Sequence, residues 1–106
     1  MKDYTVTNIQ WHIQRIGQNV SIDKLIREYS IFAQFLESHS LVLRKLTDSN
    51  GSIDVNFKLM RSDLTENGFK FCQTGYQKYL SSLDRGTDID KASKLLYKYF
   101  EKLNRA

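Results

Sequence analysis

The stretch Ile53-Asp54-Val55-Asn56-Phe57-Lys58-Leu59 decides the fold class of this chain, because its apolar side chains recur at every second position. That period puts Ile53, Val55, Phe57 and Leu59 on one face of a half-buried strand and sends Asp54, Asn56 and Lys58 to water. Just before it stands Asn50-Gly51, a pair that supplies the positive φ angles of a tight hairpin turn. The spacing therefore predicts a hairpin whose other strand is residues 41–46, Leu-Val-Leu-Arg-Lys-Leu.

Working outward, helical periods replace the alternation. Val6, Ile9, Ile13, Ile16 and Val20 recur at three- and four-residue spacing and predict an amphipathic helix loosened at its far end by Gly17, although Ile9, Trp11 and Ile13 also alternate as a strand does. Ser21 is placed to cap a second helix with the stripe Ile22, Leu25, Ile26, Tyr29, Phe32, Phe35 and Leu36. Whether residues 21–40 make one helix or two, broken at Ser30, stays open. Beyond the hairpin, Asp63 precedes Glu66 by three residues, the spacing of a capping box, and Leu64, Phe69, Cys72, Tyr76, Tyr79, Leu80 and Leu83 continue as one face. Gly86 is placed to end that helix in a left-handed cap. Thr87 and Asp90 repeat the capping pattern before the stripe Ala92, Leu95, Leu96, Tyr99, Phe100 and Leu103. The expected fold is a single α+β domain over residues 1–106, mostly helical, in the order α-α-β-β-α-α with one β-hairpin.

At 106 residues the chain suits one core that buries roughly two-thirds of the unfolded surface. A hydrophobic share of 41% and an aromatic share of 12% argue against disorder. Cys72 is the one cysteine, so no internal disulfide forms. No apolar run resembles a leader or approaches the ~20 residues that span a bilayer, which makes a cytoplasmic protein without membrane attachment the expectation. The net charge is +4, and residues 91–106 carry Lys91, Lys94, Lys98, Lys102 and Arg105 against Glu101, five minus one, which equals the whole excess. A basic surplus of this size permits an anionic partner without demanding one.

Residues able to carry catalysis are scattered. His12 and His39 are far apart, and neither has a second ligand type at metal-binding spacing. Cys72 falls on the apolar face of its helix, where a thiol is an ordinary core residue. All five glycines are single, so no phosphate-cradling loop exists, and no Gly-x-Ser-x-Gly elbow is present. The expectation is a non-enzyme with no cofactor and no metal. The basic residues are more informative. Lys91, Lys94, Lys98 and Lys102 line one flank of the last helix, a pattern that ordinary solvated faces also show. Arg44, Lys45, Lys58 and Arg61 lie on or beside the hairpin, where cations on a protruding ribbon suit the phosphates of duplex DNA.

Two segments resemble a known pattern. Phe35-Leu36-Glu37-Ser38-His39-Ser40-Leu41-Val42-Leu43-Arg44-Lys45 resembles the end of a recognition helix running into the first wing strand of winged-helix transcription regulators. Phe57-Lys58-Leu59-Met60-Arg61-Ser62-Asp63-Leu64-Thr65-Glu66-Asn67-Gly68 is similar to the second wing strand and the Leu-Thr-x-x-Gly helix start of the MarR and PadR families. The resemblance covers less than half of the chain. It implies a winged-helix-like fold, DNA-backbone contacts from Arg44, Lys45, Lys58 and Arg61, and a helix after the wing whose Phe69, Tyr76 and Tyr79 serve a dimer or a partner. Upstream the chain departs from the pattern: two short helices belong before the wing, whereas residues 21–40 carry one periodicity, and Ser40 stands where those families commonly have glycine. Arg27, Gln34 and Ser38 beside Glu28 and Glu37 are also a poor set for base edges. Two readings follow, a DNA-binding regulator expected as a homodimer on duplex DNA, and an accessory protein such as an immunity protein or antitoxin that covers a single protein partner.

Overall fold

The computed structural model describes residues 3–16 and 22–105; Gly17, Val20 and Ser21 lie outside the described residues, as do the side chains of His12, Ile16 and Arg105. The chain is α+β and mostly helical. It opens with β1 (Thr5–Asn8), because Thr5-Val6-Thr7 is a β-branched run that fits a pleated surface better than a helix. The Asn8 side chain then accepts the Trp11 amide at 2.9 Å and caps α1 (Ile9–Ile16). The first helix thus starts three residues later than the spacing of Val6 predicts. Its alternative reading as a strand is not adopted: Ile9 is fully buried while Trp11 is 53% exposed.

The question left open over residues 21–40 has one answer, a single helix α2 (Ile22–Ser38). Ser30 does not break it; its hydroxyl donates back to the Ile26 carbonyl at 2.6 Å and accepts the Ile53 amide at 3.1 Å. The helix closes on Ser40 with φ of +57°, after which the Leu41 amide returns to the Leu36 carbonyl at 2.9 Å.

A two-stranded antiparallel pair is present, but its strands are β1 and β2 (Lys58–Met60), with Thr7 opposite Leu59 and Asn8 opposite Lys58. Residues 41–46 are not its partner strand, so the element order differs from α-α-β-β-α-α. The reason lies in where the amides go. Those of Leu46 and Thr47 are taken by the Glu37 carboxylate of α2, that of Leu43 by the Asp63 carbonyl, and that of Ile53 by Ser30. Gly51 has the expected positive φ of +75°, while Asn50 does not, so the two-residue turn that would align flanking strands is missing. Asp48 instead closes a local loop, its carboxylate accepting the Asn50 and Ser52 amides. The alternation survives as burial: Ile53, Phe57 and Leu59 are buried, and Asp54, Asn56 and Lys58 are exposed.

A 3-10 turn (Arg61–Asp63) leads into α3 (Glu66–Phe71), which runs through a π-turn (Cys72–Tyr76) into α4 (Gln77–Asp84). The cap of α3 is Thr65, whose hydroxyl accepts the Gly68 amide at 3.0 Å, rather than Asp63. Gly86, at φ of +87°, turns the chain toward α5 (Ile89–Arg105). The core is aromatic, with Phe32 against Tyr76 at 4.6 Å between ring centroids and Phe35 against Phe71 at 5.2 Å. α5 completes it through Ala92 and Leu96, both fully buried, and through Phe100 at 5.7 Å from Phe35.

Candidate binding surface

A candidate ligand surface is the loop of residues 41–57, which is held against α2 and leads into β2. Four anchors hold it. The Glu37 carboxylate takes the Thr47 hydroxyl at 2.6 Å and the Leu46 amide at 2.8 Å. Burial would raise this carboxyl, but those hydrogen bonds outweigh it and hold Glu37 below the usual range. Ser30 secures Ile53, and the Gln34 side-chain amide donates to the Gly51 carbonyl. The fourth anchor is Arg44, whose Nε lies 2.7 Å from Asp63 Oδ1 and whose Nη2 lies 3.1 Å from Oδ2, a two-pronged pair that also reaches the Lys58 carbonyl at 3.2 Å. Burial pushes Asp63 upward, and the Arg44 and Met60 hydrogen bonds more than reverse it, so the carboxyl stays below its ordinary value.

This geometry divides the four cations of the sequence reading. Arg44 is a brace. Arg61 is one as well, its Nη1 donating to the Leu64 carbonyl at 3.1 Å and its guanidinium lying 4.4 Å over the Phe69 ring. Lys45 and Lys58 are exposed, and Lys58 sits on the rim of an open cleft of about 430 Å³ lined also by Arg44, Thr47, Asp48 and Asp54. Lys45 of the loop and Lys58 at the start of β2 thus present two ammonium groups from a braced frame, with carboxylates close by.

Tyr76 and Tyr79 belong to the interior. They are 8% and 0% exposed, which corrects their assignment to a dimer or partner surface. The π-turn directs the Tyr76 hydroxyl to that of Thr7, with Tyr29 at 3.2 Å, and the Tyr79 hydroxyl donates to the Glu28 carbonyl at 2.8 Å. Burial raises both phenols above their ordinary value. Phe69 is partly buried beneath Arg61 and meets Tyr4 edge-on. Cys72 is buried, and desolvation pushes its thiol up to about 12, which suits packing rather than nucleophilic chemistry. His39 is stacked on Phe35 at 4.1 Å and meets Phe100 at 4.5 Å, its Nδ1 lying 3.0 Å from the Phe35 carbonyl.

On the far helix, Lys91, Lys94, Lys98 and Lys102 are all exposed. Between α2 and α5 runs a shallow groove floored by Ile31, Phe35 and Leu96, with Tyr97 55% exposed beside it. The sequence reading missed the bracing residues Glu37, Ser30 and Gln34, and nothing in their local spacing singles them out. Among the described residues, no group of three or more His, Cys, Asp or Glu is placed to hold a metal, and no helix is long and apolar enough to cross a membrane. Comparison of the chain with protein families, with characterised proteins and with solved structures finds no match.

Proposed function

We propose that this is a non-catalytic, winged-helix-like DNA-binding regulator of the cytoplasm, whose wing is the loop of residues 41–57. The observation that carries the reading is the bracing of that loop: Glu37, Ser30 and Gln34 of α2 hold one side and the Arg44–Asp63 pair the other. Lys45 and Lys58 therefore project from an ordered backbone, and ordering the loop need not be repeated on binding. Two further features support it. The helices α1 and α2 and the loop lie between two strands that pair with each other, and Gly68 of the Leu-Thr-x-x-Gly segment lets the Leu41 carbonyl pass so closely that an added Cβ would stand 2.1 Å from it. Lys45 and Lys58 make the phosphate contacts, with Arg27 exposed on α2, while Arg44 and Arg61 support the frame. Two half-sites call for two protomers, and Phe69 is the partly exposed member of the expected dimer set.

Light scattering and anisotropy with random-sequence duplex DNA at two salt concentrations test this. Binding is expected to weaken steeply with salt, and replacing Lys45 and Lys58 together with alanine should lower the salt slope by about two units, near 0.9 for each phosphate no longer neutralised. A protein indifferent to DNA at low salt removes the reading.

One observation favours the accessory-protein alternative. The reach of α2 into a DNA groove is limited, because Gln34 is engaged by Gly51 and Tyr97 of α5 stands alongside. An immunity protein or antitoxin would instead use the groove between α2 and α5, and a pull-down would return one stoichiometric protein from a sample that shows no DNA binding.

A further inference from the structure

The lysines of α5 form a surface that the wing does not use. At about 100° per residue, Lys91, Lys94, Lys98 and Lys102 fall within an arc of about 80° on the helix. The opposite arc is spent on the core through Ala92 and Leu96. Asp90 and Glu101 border that arc on the side of Tyr97, four residues before Lys94 and three after Lys98, so the face carries four positive charges with two acids at its edge. Two of the ammonium groups are also placed by an aromatic ring, Lys102 at 5.2 Å and Lys98 at 6.0 Å from the Tyr99 centroid. Tyr99 itself is set into the fold, its Cβ so near Gly75 that an added methyl there would lie 3.1 Å away.

From this we infer that the outer face of α5 is a second, sequence-independent contact for duplex DNA, gripping one phosphate strand; the inference rests on the DNA-binding reading but uses a different element. The occupant follows from charge and shape. Four cations in a row span about 16 Å of helix at 1.5 Å per residue. One strand of a duplex offers about five phosphates over that length, at about 3.4 Å each along the axis. A bilayer fits less well, because the apolar face that an interfacial helix inserts is already buried against Phe35 and Phe71. With Lys45 on the loop, Lys58 at the start of β2 and four lysines on α5, one protomer holds DNA at two places, or holds two segments at once.

The test compares the full chain, the Lys45→Ala/Lys58→Ala pair and a quadruple variant, Lys91, Lys94, Lys98 and Lys102 each to Gln, by anisotropy with a short random-sequence duplex over a salt series. Circular dichroism should show the quadruple variant folded and melting close to the unmodified chain, since all four side chains are exposed and the ring contacts it loses lie at the surface. The expected result is a salt slope lower by about 3 to 4 units in the quadruple variant, added to the decrease in the wing pair. An unchanged slope in the quadruple variant alongside a reduced slope in the wing pair overturns the second contact and leaves the wing intact. A reduced slope in the quadruple variant alone upholds the second contact and removes the wing. Absence of duplex binding by the unmodified chain overturns both. Polyglutamate, or vesicles of phosphatidylglycerol, bound through the same lysines as tightly as DNA would reassign the face to an acidic protein or a lipid surface and overturn the inference.

Discussion

Ser40 and Gly68 show what single residues must do where the backbone turns or crowds. Ser40 ends α2 with φ of +57°, a conformation in which an L side chain crowds its own carbonyl. Ser40→Gly should therefore raise stability by about 1 kcal/mol, read as a higher urea midpoint with unchanged slope. Gly68 is the reverse case. A Cβ there would lie 2.1 Å from the Leu41 carbonyl oxygen, which already accepts the Thr65 amide at 3.1 Å and cannot swing aside. Gly68→Ala should cost about 3 kcal/mol, at the upper end of overpacking effects, and a neutral result would mean that the chain does not pass so closely there. Lys94→Ala, on an exposed helix face, should leave the midpoint where it is.

The loop of residues 41–57 is an element whose order depends on carboxylates. Glu37 and Asp63 both titrate below their ordinary values when folded, so each contributes stability above the unfolded carboxylate range of about pH 4, and loses it as pH falls through the folded value. Stability should be level near neutrality and fall on acidification. Glu37→Gln keeps one oxygen for the Leu46 and Thr47 amides and turns an amide donor to the Thr47 hydroxyl, which removes the charge that strengthens these bonds; it should cost about 1 to 2 kcal/mol at neutral pH and flatten the acid limb in thermal melts recorded as a function of pH. An acid limb unchanged by the substitution would show that Glu37 does not brace the loop. The same element shows how far local pattern reaches. Alternation over residues 53–59 was legible as burial, since a period of two needs only the chain itself. The pairing partner was not, because it depends on acceptors such as Glu37 and Ser30 that come from another helix. The Thr5-Val6-Thr7 strand and its Asn8 cap were local signals, hidden under an apolar spacing that also began at Val6. At the candidate site the positions of the cations were legible. Which of them remain available was not, because Asp63, expected as a cap, is instead the partner of Arg44.

At the scale of the molecule, α5 decides whether the rest is a fold at all. Its inner face supplies Ala92 and Leu96 to the core, and Phe100 meets Phe35, His39 and Phe71 with ring centroids 4.5 to 6.3 Å apart. Without it, Phe35 and Phe71, both buried, would face water together with the small-residue face of the π-turn at Gly75. Stripping several large side chains of their cover removes roughly 1.5 to 3 kcal/mol for each, which together rivals the whole stability of a domain this size. A chain ended at Gly86 should therefore lose cooperative unfolding and near-ultraviolet dichroism, while keeping part of its helical signal. The quadruple lysine variant alters the same helix on its outer face and should melt like the unmodified protein. A truncated chain that still unfolded cooperatively would place the core in residues 3–86 alone and make α5 an appendage. In that outcome its lysines would be free to move relative to the wing, and the additivity expected of the two DNA contacts would fail.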